Sequence, residues 1–258
     1  MTKIISIVNE KGGVGKTTST VNIGAALTTL GYKVLLVDLD QQSNLTSYLG
    51  CEVRPGNITI SELLYFKTAN MQVDYKNAVK QSEEGMYVIP SSKMLASITS
   101  VLSNISDSQC VLRDILKDKY FDEFDFILLD CRPSLDLLVV NALVASNSVI
   151  IPVQAEKFSL DAVYSTMDTI SRTRATNPKL KLEGLLLTMV NKRIKMAKAV
   201  EESLRETYKD KVFKTIIPRL TEATTSTYEQ KSLLSNKKSI LGTAYLEVAK
   251  EICDTVER

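Results

Sequence analysis

Apolar runs recur along this chain, and stretches with the spacing of amphipathic helices lie between them. Continuous apolar runs of strand length are typical of strands that are buried on both faces of a sheet. We predict such strands at residues 4–8, 33–38, 124–130, 148–153 and 182–190. Because strands that alternate with helices form parallel sheets, the pattern predicts an α/β fold, with helices on both sides of a doubly wound, mostly parallel sheet.

Shorter patterns complete this prediction. They indicate a helix near 60–64, a strand at 87–90, helices between 93 and 119, a helix at 197–208, a late strand at 212–218 and a final helix at about 243–256. No linker, repeat or low-complexity stretch interrupts the order of these elements. We therefore predict a single domain that spans residues 1–258.

The composition limits the class of protein and the catalytic groups that this chain can have. The chain has 258 residues, of which 44% are hydrophobic and 24% charged, as in an ordinary globular protein. Its four cysteines are widely separated, which argues against a zinc site or a disulfide framework and for a reducing, cytoplasmic compartment. We expect no secretory signal at the N-terminus, and the most apolar segment, 137–145, is too short to cross a bilayer. Because the chain has no histidine, a catalytic base has to be a carboxylate, lysine, tyrosine or bound water.

A glycine-rich turn follows the first predicted strand and leads into a predicted helix. Glycines let the backbone curl so that successive N–H groups point at one anion, and the start of the helix adds the positive end of its dipole. Lys16 is placed to reach the terminal phosphates of a nucleotide, and the Thr17 hydroxyl to ligate Mg²⁺. The predicted nucleotide-binding residues are Gly12, Gly13, Val14, Gly15, Lys16, Thr17 and Thr18.

The turn departs from the ordinary phosphate-loop pattern. That pattern needs a glycine where Glu10 stands, and a second lysine, Lys11, precedes the glycine pair. The run Lys-Gly-Gly-Val-Gly-Lys-Thr-Thr resembles the deviant Walker A loop of the MinD/ParA class of P-loop ATPases. The resemblance implies that Lys11 acts in catalysis together with Lys16, by crossing a dimer interface to touch the nucleotide of the other subunit. Taken alone, Lys11 could equally be an exposed loop lysine.

Aspartates mark the ends of two predicted strands. Asp38 and Asp40 follow the second strand, and Asp130 ends the strand at 124–130. Ligand sites lie outside the carboxyl ends of parallel strands, so these carboxylates should face the phosphates. The segment resembles the D-x-D-x-Q segment of ParA proteins, which implies that Asp40 positions or activates the attacking water and that Asp38 helps to hold the Mg²⁺ shell. Asp38 could instead cap the following turn. Asp130 lies in a Walker B pattern, where a carboxylate binds Mg²⁺ directly or through water.

Later motifs refine the resemblance. The run at 152–160 closely resembles the Pro-Val-Gln-Ala-Glu signature of ParA/Soj-type partition ATPases. The adenine-contacting positions of that family are matched by Asn191, Pro218 and Arg219. Each of these could instead be an ordinary turn residue. Arg132 stands where the family commonly has a proline. It is either a solvated surface residue or a residue that alters how its loop senses the γ-phosphate.

Positive charge is concentrated in one segment. Residues 172–219 hold 13 lysines and arginines against 5 acidic residues, a net charge of +8 in a chain whose total is +2. Such asymmetry is typical of a surface that binds a polyanion, although a solvated lysine-rich surface is the alternative. The candidate DNA-binding residues are Lys192, Arg193, Lys195, Lys198 and Arg219. Glu222 stands where Soj-like relatives commonly carry a second arginine, which leaves the extent of this surface open.

The resemblance implies a function as well as a fold. ParA proteins bind ATP and Mg²⁺, form a homodimer around ATP, and then bind double-stranded DNA without sequence preference. We therefore expect a slow, switch-type ATPase of the cytoplasm and nucleoid, stimulated by a ParB-like partner protein, that partitions plasmid, chromosomal or mobile-element DNA. We expect no stable membrane association, because the C-terminal helix carries acidic residues and its aliphatic face suits a core. The alternatives are a MinD-like membrane switch, a nitrogenase-reductase-like electron donor and a ParA-like positioner of a protein cargo.

Overall fold

The computed structural model describes residues 2–156, 159–191 and 193–254. Its strands are β1 (Lys3–Ile7), β2 (Val34–Leu39), β3 (Lys80–Gln81), β4 (Tyr87–Ile89), β5 (Phe126–Cys131), β6 (Ser148–Gln154) and β7 (Lys181–Thr188). Within the described residues they form one seven-stranded sheet in the order β3-β4-β2-β5-β1-β6-β7. Every pairing is parallel except that of β3 with β4. The predicted mostly parallel sheet is confirmed.

Helices flank the sheet. They are α1 (Lys16–Thr29), α2 (Asn44–Tyr48), α3 (Ile60–Thr68), α4 (Tyr75–Ala78), α5 (Leu95–Leu102), α6 (Val111–Leu116), α7 (Leu137–Ala145), α8 (Ser159–Thr173), α9 (Lys195–Tyr208), α10 (Glu222–Tyr228) and α11 (Ile240–Asp254). Short 3-10 helices lie at Ser108–Cys110, Lys119–Glu123, Lys209–Lys211 and Leu233–Ser235.

Alternate residues of the strands enter two apolar layers, one on each face of the sheet. Along β2, Leu35, Val37 and Leu39 belong to the layer that includes residues of α3 to α9. Val34 and Leu36 belong to the opposite layer, with α1, α2 and α11. All five side chains are fully buried. Because both faces are covered, the strand is continuously apolar rather than alternating, which is the pattern that the sequence shows.

The strand order reverses around β1, which lies between β5 and β6. In a doubly wound sheet, ligands bind in the crevice outside the carboxyl ends of the strands at such a reversal. The loop after β1 is therefore at the expected binding position. The strand register also pairs Asp38 of β2 with Asp130 of β5, so two carboxylates lie next to each other at this edge.

The predicted late strand at 212–218 is wrong. This segment runs beside β7 and the residues after it, but it pairs through isolated bridges at its two ends. Between the bridges, the backbone N–H groups of Lys214 and Thr215 donate to the carboxylate of Glu251, at 2.8 and 2.9 Å. Because a side chain from α11 takes these donors, no continuous ladder forms. The final helix begins at Ile240, earlier than predicted, and its predicted end at 256 lies outside the described residues.

Candidate active site

The loop between β1 and α1 contains two turns that favour glycine. Gly13 has a φ of 74° and Gly15 a φ of 87°, in the left-handed region where other residues are strained. Gly15 is also the N-cap of α1, and no side chain caps this helix start. The first N–H groups of the helix therefore point to the crevice without an internal acceptor, which is the arrangement that binds phosphate.

Side chains from outside the loop hold it in place. The Thr188 hydroxyl at the end of β7 donates to the Val14 carbonyl oxygen at 2.8 Å. The Asn9 side-chain amide donates to the Pro152 carbonyl oxygen at 2.8 Å, and its Oδ1 accepts the Lys11 N–H at 2.9 Å. Strands β6 and β7 thus fix both halves of the loop. Val14, predicted to bind nucleotide, is buried, and its carbonyl serves this attachment.

Lys16 is buried at the first position of α1. Its Nζ donates to the carbonyl oxygens of Asn9 and Lys11, at 2.9 and 2.8 Å. Burial lowers the pKa of Lys16, and the charge of Asp130 partly opposes this shift. An ammonium group has three donors, and the two carbonyls account for two of them. Lys16 is thus held over the loop in the position from which it can reach a phosphate oxygen.

Lys11 is partly exposed and forms an ion pair within its own chain. Its Nζ lies 3.3 Å from Glu156 Oε2, and the other oxygen of Glu156 accepts the Gln154 side-chain amide at 2.6 Å. Glu156 belongs to the predicted signature at 152–160, of which residues 157 and 158 lie outside the described part of the chain. The signature therefore supplies a resting partner for Lys11, a role that the sequence did not reveal.

Asp130 lies near the end of β5, and each of its carboxylate oxygens accepts a hydrogen bond from a threonine of α1. Its Oδ2 accepts the Thr17 hydroxyl at 2.7 Å, and its Oδ1 accepts the Thr20 hydroxyl at 3.1 Å. Burial, followed by the charge of Asp38, raises the pKa of Asp130 to about 8. The carboxylate is thus tied to the phosphate loop in an environment with excess negative charge.

Asp38 caps the turn that follows β2. Its Oδ1 accepts the Asp40 N–H at 3.1 Å, and its Oδ2 accepts the Thr46 N–H and hydroxyl at 2.9 and 2.7 Å. Burial raises the pKa of Asp38 to about 6, although these hydrogen bonds lower it. The turn-capping alternative from the sequence therefore describes what Asp38 does here. Its position beside Asp130 leaves a water-mediated role in Mg²⁺ binding as a prediction.

The residues at this edge fit Mg²⁺. Two adjacent buried carboxylates and the Thr17 hydroxyl offer hard oxygen ligands, and a cation would relieve the charge that raises the pKa of Asp130. Among the described residues, no group of three or more His, Cys, Asp or Glu side chains could hold a metal ion. Mg²⁺ would therefore also need water and phosphate oxygens, which it commonly keeps.

A cavity joins the loop to the C-terminal part of the chain. Its volume of about 660 Å³ is within the usual range for ligand sites. Gly12, Gly13, Gly15, Lys16, Thr17 and Thr18 line one end of it. Asp40 also lines the cavity, and its Oδ1 accepts the Gln42 N–H at 3.0 Å. Because Asp40 is partly exposed to this space whereas Asp38 is buried, Asp40 is the carboxylate that can meet a water molecule.

The other end of the cavity is formed by residues after 216. Its apolar lining includes Ile217, Pro218, Leu220, Ala223 and Leu241, and the exposed Arg219 lies among them. The structure thus places the predicted Pro218 on the wall. Asn191 is not among the residues that line the cavity, and its side-chain oxygen accepts the Arg193 N–H at 3.1 Å in the turn before α9. A contact between Asn191 and adenine stays a prediction.

Arg132 packs against its own loop. Its Nε lies 3.3 Å from Asp136, and its Nη1 is buried without a hydrogen-bond partner in the described part of the chain. The neighbouring Pro133 approaches the phosphate loop, since a Cβ built on Gly12 would lie 3.9 Å from its Cβ. Arg132 is therefore not a fully solvated residue. Its effect on γ-phosphate sensing stays a prediction.

The predicted basic residues fall into two groups. Arg193, Lys195 and Lys198 are exposed at the start of α9, and the Nζ of Lys198 lies 3.9 Å from Glu202. Lys192 lies outside the described residues. Arg219, by contrast, lines the nucleotide cavity. The structure therefore brings three of the candidate DNA-binding residues together on one helix start and places Arg219 at a different feature.

Four supporting residues were missed from the sequence, namely Asn9, Thr20, Thr46 and Thr188. Only Thr20 had a readable signal, because it lies three residues after Thr17 on the same helix face. Asn9 and Thr188 form their bonds across 143 and 174 residues. Thr46 lies only eight residues after Asp38, on a helix that the sequence did not predict. A membrane-spanning helix is absent among the described residues, since none of the helices there is long and apolar enough.

Comparisons with known proteins agree with this geometry. A family model described as an AAA domain matches residues 2–182. The sporulation initiation inhibitor protein Soj of Bacillus subtilis (strain 168) is 38% identical over 256 residues, which cover 98% of each chain. A chromosome partitioning protein ParA of Caulobacter vibrioides is 34% identical over 253 residues, which cover 97% of this chain and 93% of the relative.

Solved structures share the fold over the full chain. One is described as cobyrinic acid a,c-diamide synthase from Mycobacterium smegmatis with bound ATP analogue and magnesium; it has a TM-score of 0.85 and 32% identity and covers 100% of this chain and 96% of its own. A putative plasmid partition protein from Borrelia burgdorferi B31 bound to AMPPNP has a TM-score of 0.80 and 27% identity, with 100% and 99% covered. The chain therefore belongs to the ParA/Soj-type partition ATPases, the P-loop family that its sequence resembles.

Proposed function

We propose that this ATPase forms a homodimer around ATP and Mg²⁺, binds double-stranded DNA without sequence preference in that state, and positions plasmid, chromosomal or mobile-element DNA in the cytoplasm and nucleoid. A ParB-like partner protein stimulates its hydrolysis. The observation that carries the proposal is a complete phosphate loop beside a second lysine, Lys11, whose side chain is 32% exposed. The names of the Soj and ParA relatives, and the ATP analogues and magnesium in the related structures, support it.

The phosphate end of the cavity supplies the chemistry. The N–H groups at the start of α1 and the Lys16 ammonium bind the phosphates of ATP. Thr17 and Asp130 hold Mg²⁺, with Asp38 acting through water. When bound, Mg²⁺ neutralises charge on the β- and γ-phosphates. Asp40, the partly exposed carboxylate of the cavity, orients the water that attacks the γ-phosphate.

Lys11 connects nucleotide binding to dimerisation. It leaves Glu156 and contacts the phosphates bound by the second subunit. A partly exposed ion pair such as Lys11–Glu156 stabilises by about 0.2–1 kcal/mol. A charge-assisted hydrogen bond to phosphate in a closed interface contributes about 1.5–3 kcal/mol. The exchange of Glu156 for a phosphate is therefore favourable, and it happens only when a second subunit with a triphosphate is present.

DNA binding follows from the dimer. Arg193, Lys195 and Lys198 form an exposed basic helix start on each subunit, and a dimer doubles the number of cations that can contact phosphates at once. Release of condensed counterions makes such binding sensitive to salt and tolerant of sequence. Loss of the γ-phosphate removes the contact that holds Lys11, so that the dimer and its DNA affinity decline together.

Analytical ultracentrifugation tests the dimer. The wild-type protein should sediment as a monomer with ADP and as a dimer with a slowly hydrolysed ATP analogue and Mg²⁺. Lys11→Ala should bind both nucleotides and remain monomeric with each. Lys93→Ala, which removes an exposed lysine elsewhere, is the matched control and should dimerise normally. A wild-type monomer with every nucleotide would overturn the proposal.

A membrane or redox role predicts different results. Liposome flotation with ATP should leave the protein in the dense fraction, whereas robust flotation would favour a MinD-like switch. A nitrogenase-reductase-like donor needs paired cysteines that are accessible at a dimer axis, whereas Cys131 beside the Walker B aspartate is only 2% exposed. Co-purification of a protein cargo in place of DNA would favour the third alternative.

A further inference from the structure

Tyr228 is an aromatic residue that is 90% exposed at the edge of the nucleotide cavity. It is the last residue of α10, which forms one wall of that cavity. A large ring in this position exposes apolar surface that a bound ligand can cover. Tyr228 is therefore placed to contact the part of a bound nucleotide that extends beyond the phosphate loop.

One side of α10 faces the end of the loop. Ala223, Thr224, Thr227 and Tyr228 lie at helical spacing on this side, and together with Thr18 they surround a second depression that adjoins the main cavity. Thr18 is the last of the predicted phosphate-binding residues. A nucleotide whose phosphates lie on the loop therefore has α10 next to it where its phosphates end.

The two ends of the cavity suit different parts of the ligand. The loop end offers Lys16, Thr17 and Asp40, which bind or act on phosphates. The end that includes α10 has aliphatic side chains such as Pro218 and Leu220 in its lining, together with Arg219 and two threonines of α10. A purine base is the apolar, planar part of the ligand, so it belongs at the α10 end, where a tyrosine ring can stack on it.

Helix α10 and the residues after it are attached to neighbouring elements. The buried Ser226 hydroxyl bonds to the Tyr48 hydroxyl of α2, and the Gln230 side-chain amide donates to the Ser47 carbonyl oxygen at 3.1 Å. At the start of the helix, Glu222 accepts the Leu241 N–H at 3.2 Å. Tyr228 is therefore carried on a fixed support, which limits the entropy lost when its ring binds a ligand.

We propose that Tyr228 is a further nucleoside-contacting residue of this ATPase and that its ring stacks on the purine base of the bound nucleotide. The inference deepens the proposed function at its nucleotide site. It needs ATP and ADP binding by the monomer, and it needs neither dimerisation nor DNA.

Isothermal titration of ADP with Mg²⁺ tests the contact. Tyr228→Ala should weaken ADP binding about tenfold, because aromatic stacking on a base is lost, whereas Tyr228→Phe should remain within about twofold of the wild type. Inorganic pyrophosphate, which has no base, should bind all three proteins equally, and this also shows that the variants are folded. Glu229→Ala removes the exposed neighbour outside the cavity lining and is the matched control.

A fluorescent variant gives an independent readout. The chain contains no tryptophan, so Tyr228→Trp introduces a single reporter. ADP should quench its emission by stacking, and pyrophosphate should leave it unchanged. Unaltered ADP affinity in Tyr228→Ala would overturn the inference, as would an equal loss of pyrophosphate binding, which would mean that α10 supports the loop. A defect confined to ATP-dependent dimerisation would also overturn it, by assigning Tyr228 to the subunit interface.

Discussion

The two ends of the nucleotide cavity are built in different ways. At the phosphate end, one short loop provides the binding groups, and buried hydrogen bonds from Asn9, Thr188 and Asp130 fix them. At the nucleoside end, exposed side chains such as Arg219 and Tyr228 come from segments that follow β7. The phosphate end is preorganised before a ligand arrives, whereas the nucleoside end presents surface that a ligand has to cover. Affinity should therefore depend most on the phosphate end.

Lys16→Ala is expected to have the largest effect. It removes a buried ammonium that is held over the loop, so ADP binding should weaken by at least about 100-fold in calorimetric titrations. The tenfold loss expected for Tyr228→Ala is much smaller, as the comparison requires. Equal losses of ADP affinity in Lys16→Ala and Tyr228→Ala would contradict the view that the phosphate end contributes more to affinity than the nucleoside end.

Asp40→Ala should separate chemistry from binding. Asp40 faces the cavity and bonds the Gln42 N–H, while the buried aspartates behind it hold the turn and the loop. The variant should bind ATP with Mg²⁺ and persist as a dimer, but phosphate release should slow about 100-fold. Asp122→Ala, on a 3-10 helix away from the cavity lining, is a suitable control. Normal turnover in Asp40→Ala would show that another group orients the water.

The basic residues at the start of α9 provide a test of the proposed DNA binding. Replacement of Arg193, Lys195 and Lys198 by alanine should weaken DNA binding about 10- to 30-fold and reduce the slope of log affinity against log salt by up to about three, without changing ADP affinity. Lys237→Ala with Lys238→Ala removes exposed lysines of another segment and should change little. An unaltered salt slope in the triple variant would place the DNA contact elsewhere.

The pKa values of the buried carboxylates predict how the stability of the fold depends on pH. The pKa of Asp130 rises from 3.8 to about 8, so the folded protein binds this proton more tightly than the unfolded chain. Without Mg²⁺, the free energy of unfolding should therefore fall as pH rises between about 4 and 8, with a loss of about 5–10 °C in melting temperature from pH 5.5 to 7.5. Asp130→Asn should flatten this dependence, and Mg²⁺ with ADP should reduce it. A flat wild-type profile would mean that Asp130 is ionised in the ligand-free protein.

The phosphate end was the part of the site that could be predicted from sequence. Its groups lie within one strand-turn-helix segment, where glycine positions and a lysine-threonine pair determine local geometry. The parallel sheet could also be predicted, because continuous apolar runs indicate strands that are buried on both faces. Thr188 and Glu156 carry no local signal, since they join the loop only after β6 and β7 are in place.

The C-terminal part shows why one strand prediction failed. The segment 212–218 has strand-like composition, yet Glu251 from α11 takes two of its N–H donors. Asn191 caps a turn through its side-chain oxygen, and its contact with adenine stays a prediction. The lost strand depends on a contact between distant segments, which apolar pattern and motif spacing do not encode.

Glu156→Gln is expected to give the smallest effect. It removes the resting partner of Lys11, so the dimer formed with a slowly hydrolysed ATP analogue should assemble at about 2- to 5-fold lower protein concentration. ADP affinity should not change, because Glu156 does not line the cavity. Weaker dimerisation in this variant would mean that Glu156 acts within the dimer interface and does not restrain Lys11.

The central claim is that a triphosphate shared between two subunits controls DNA affinity, and a titration of duplex DNA tests it most directly. The wild-type protein should bind DNA with a slowly hydrolysed ATP analogue and Mg²⁺, at least about tenfold more tightly than with ADP. Lys11→Ala should bind weakly and equally with both nucleotides. Wild-type DNA binding that is the same with either nucleotide, or a Lys11→Ala variant that still responds to the triphosphate, would contradict the account.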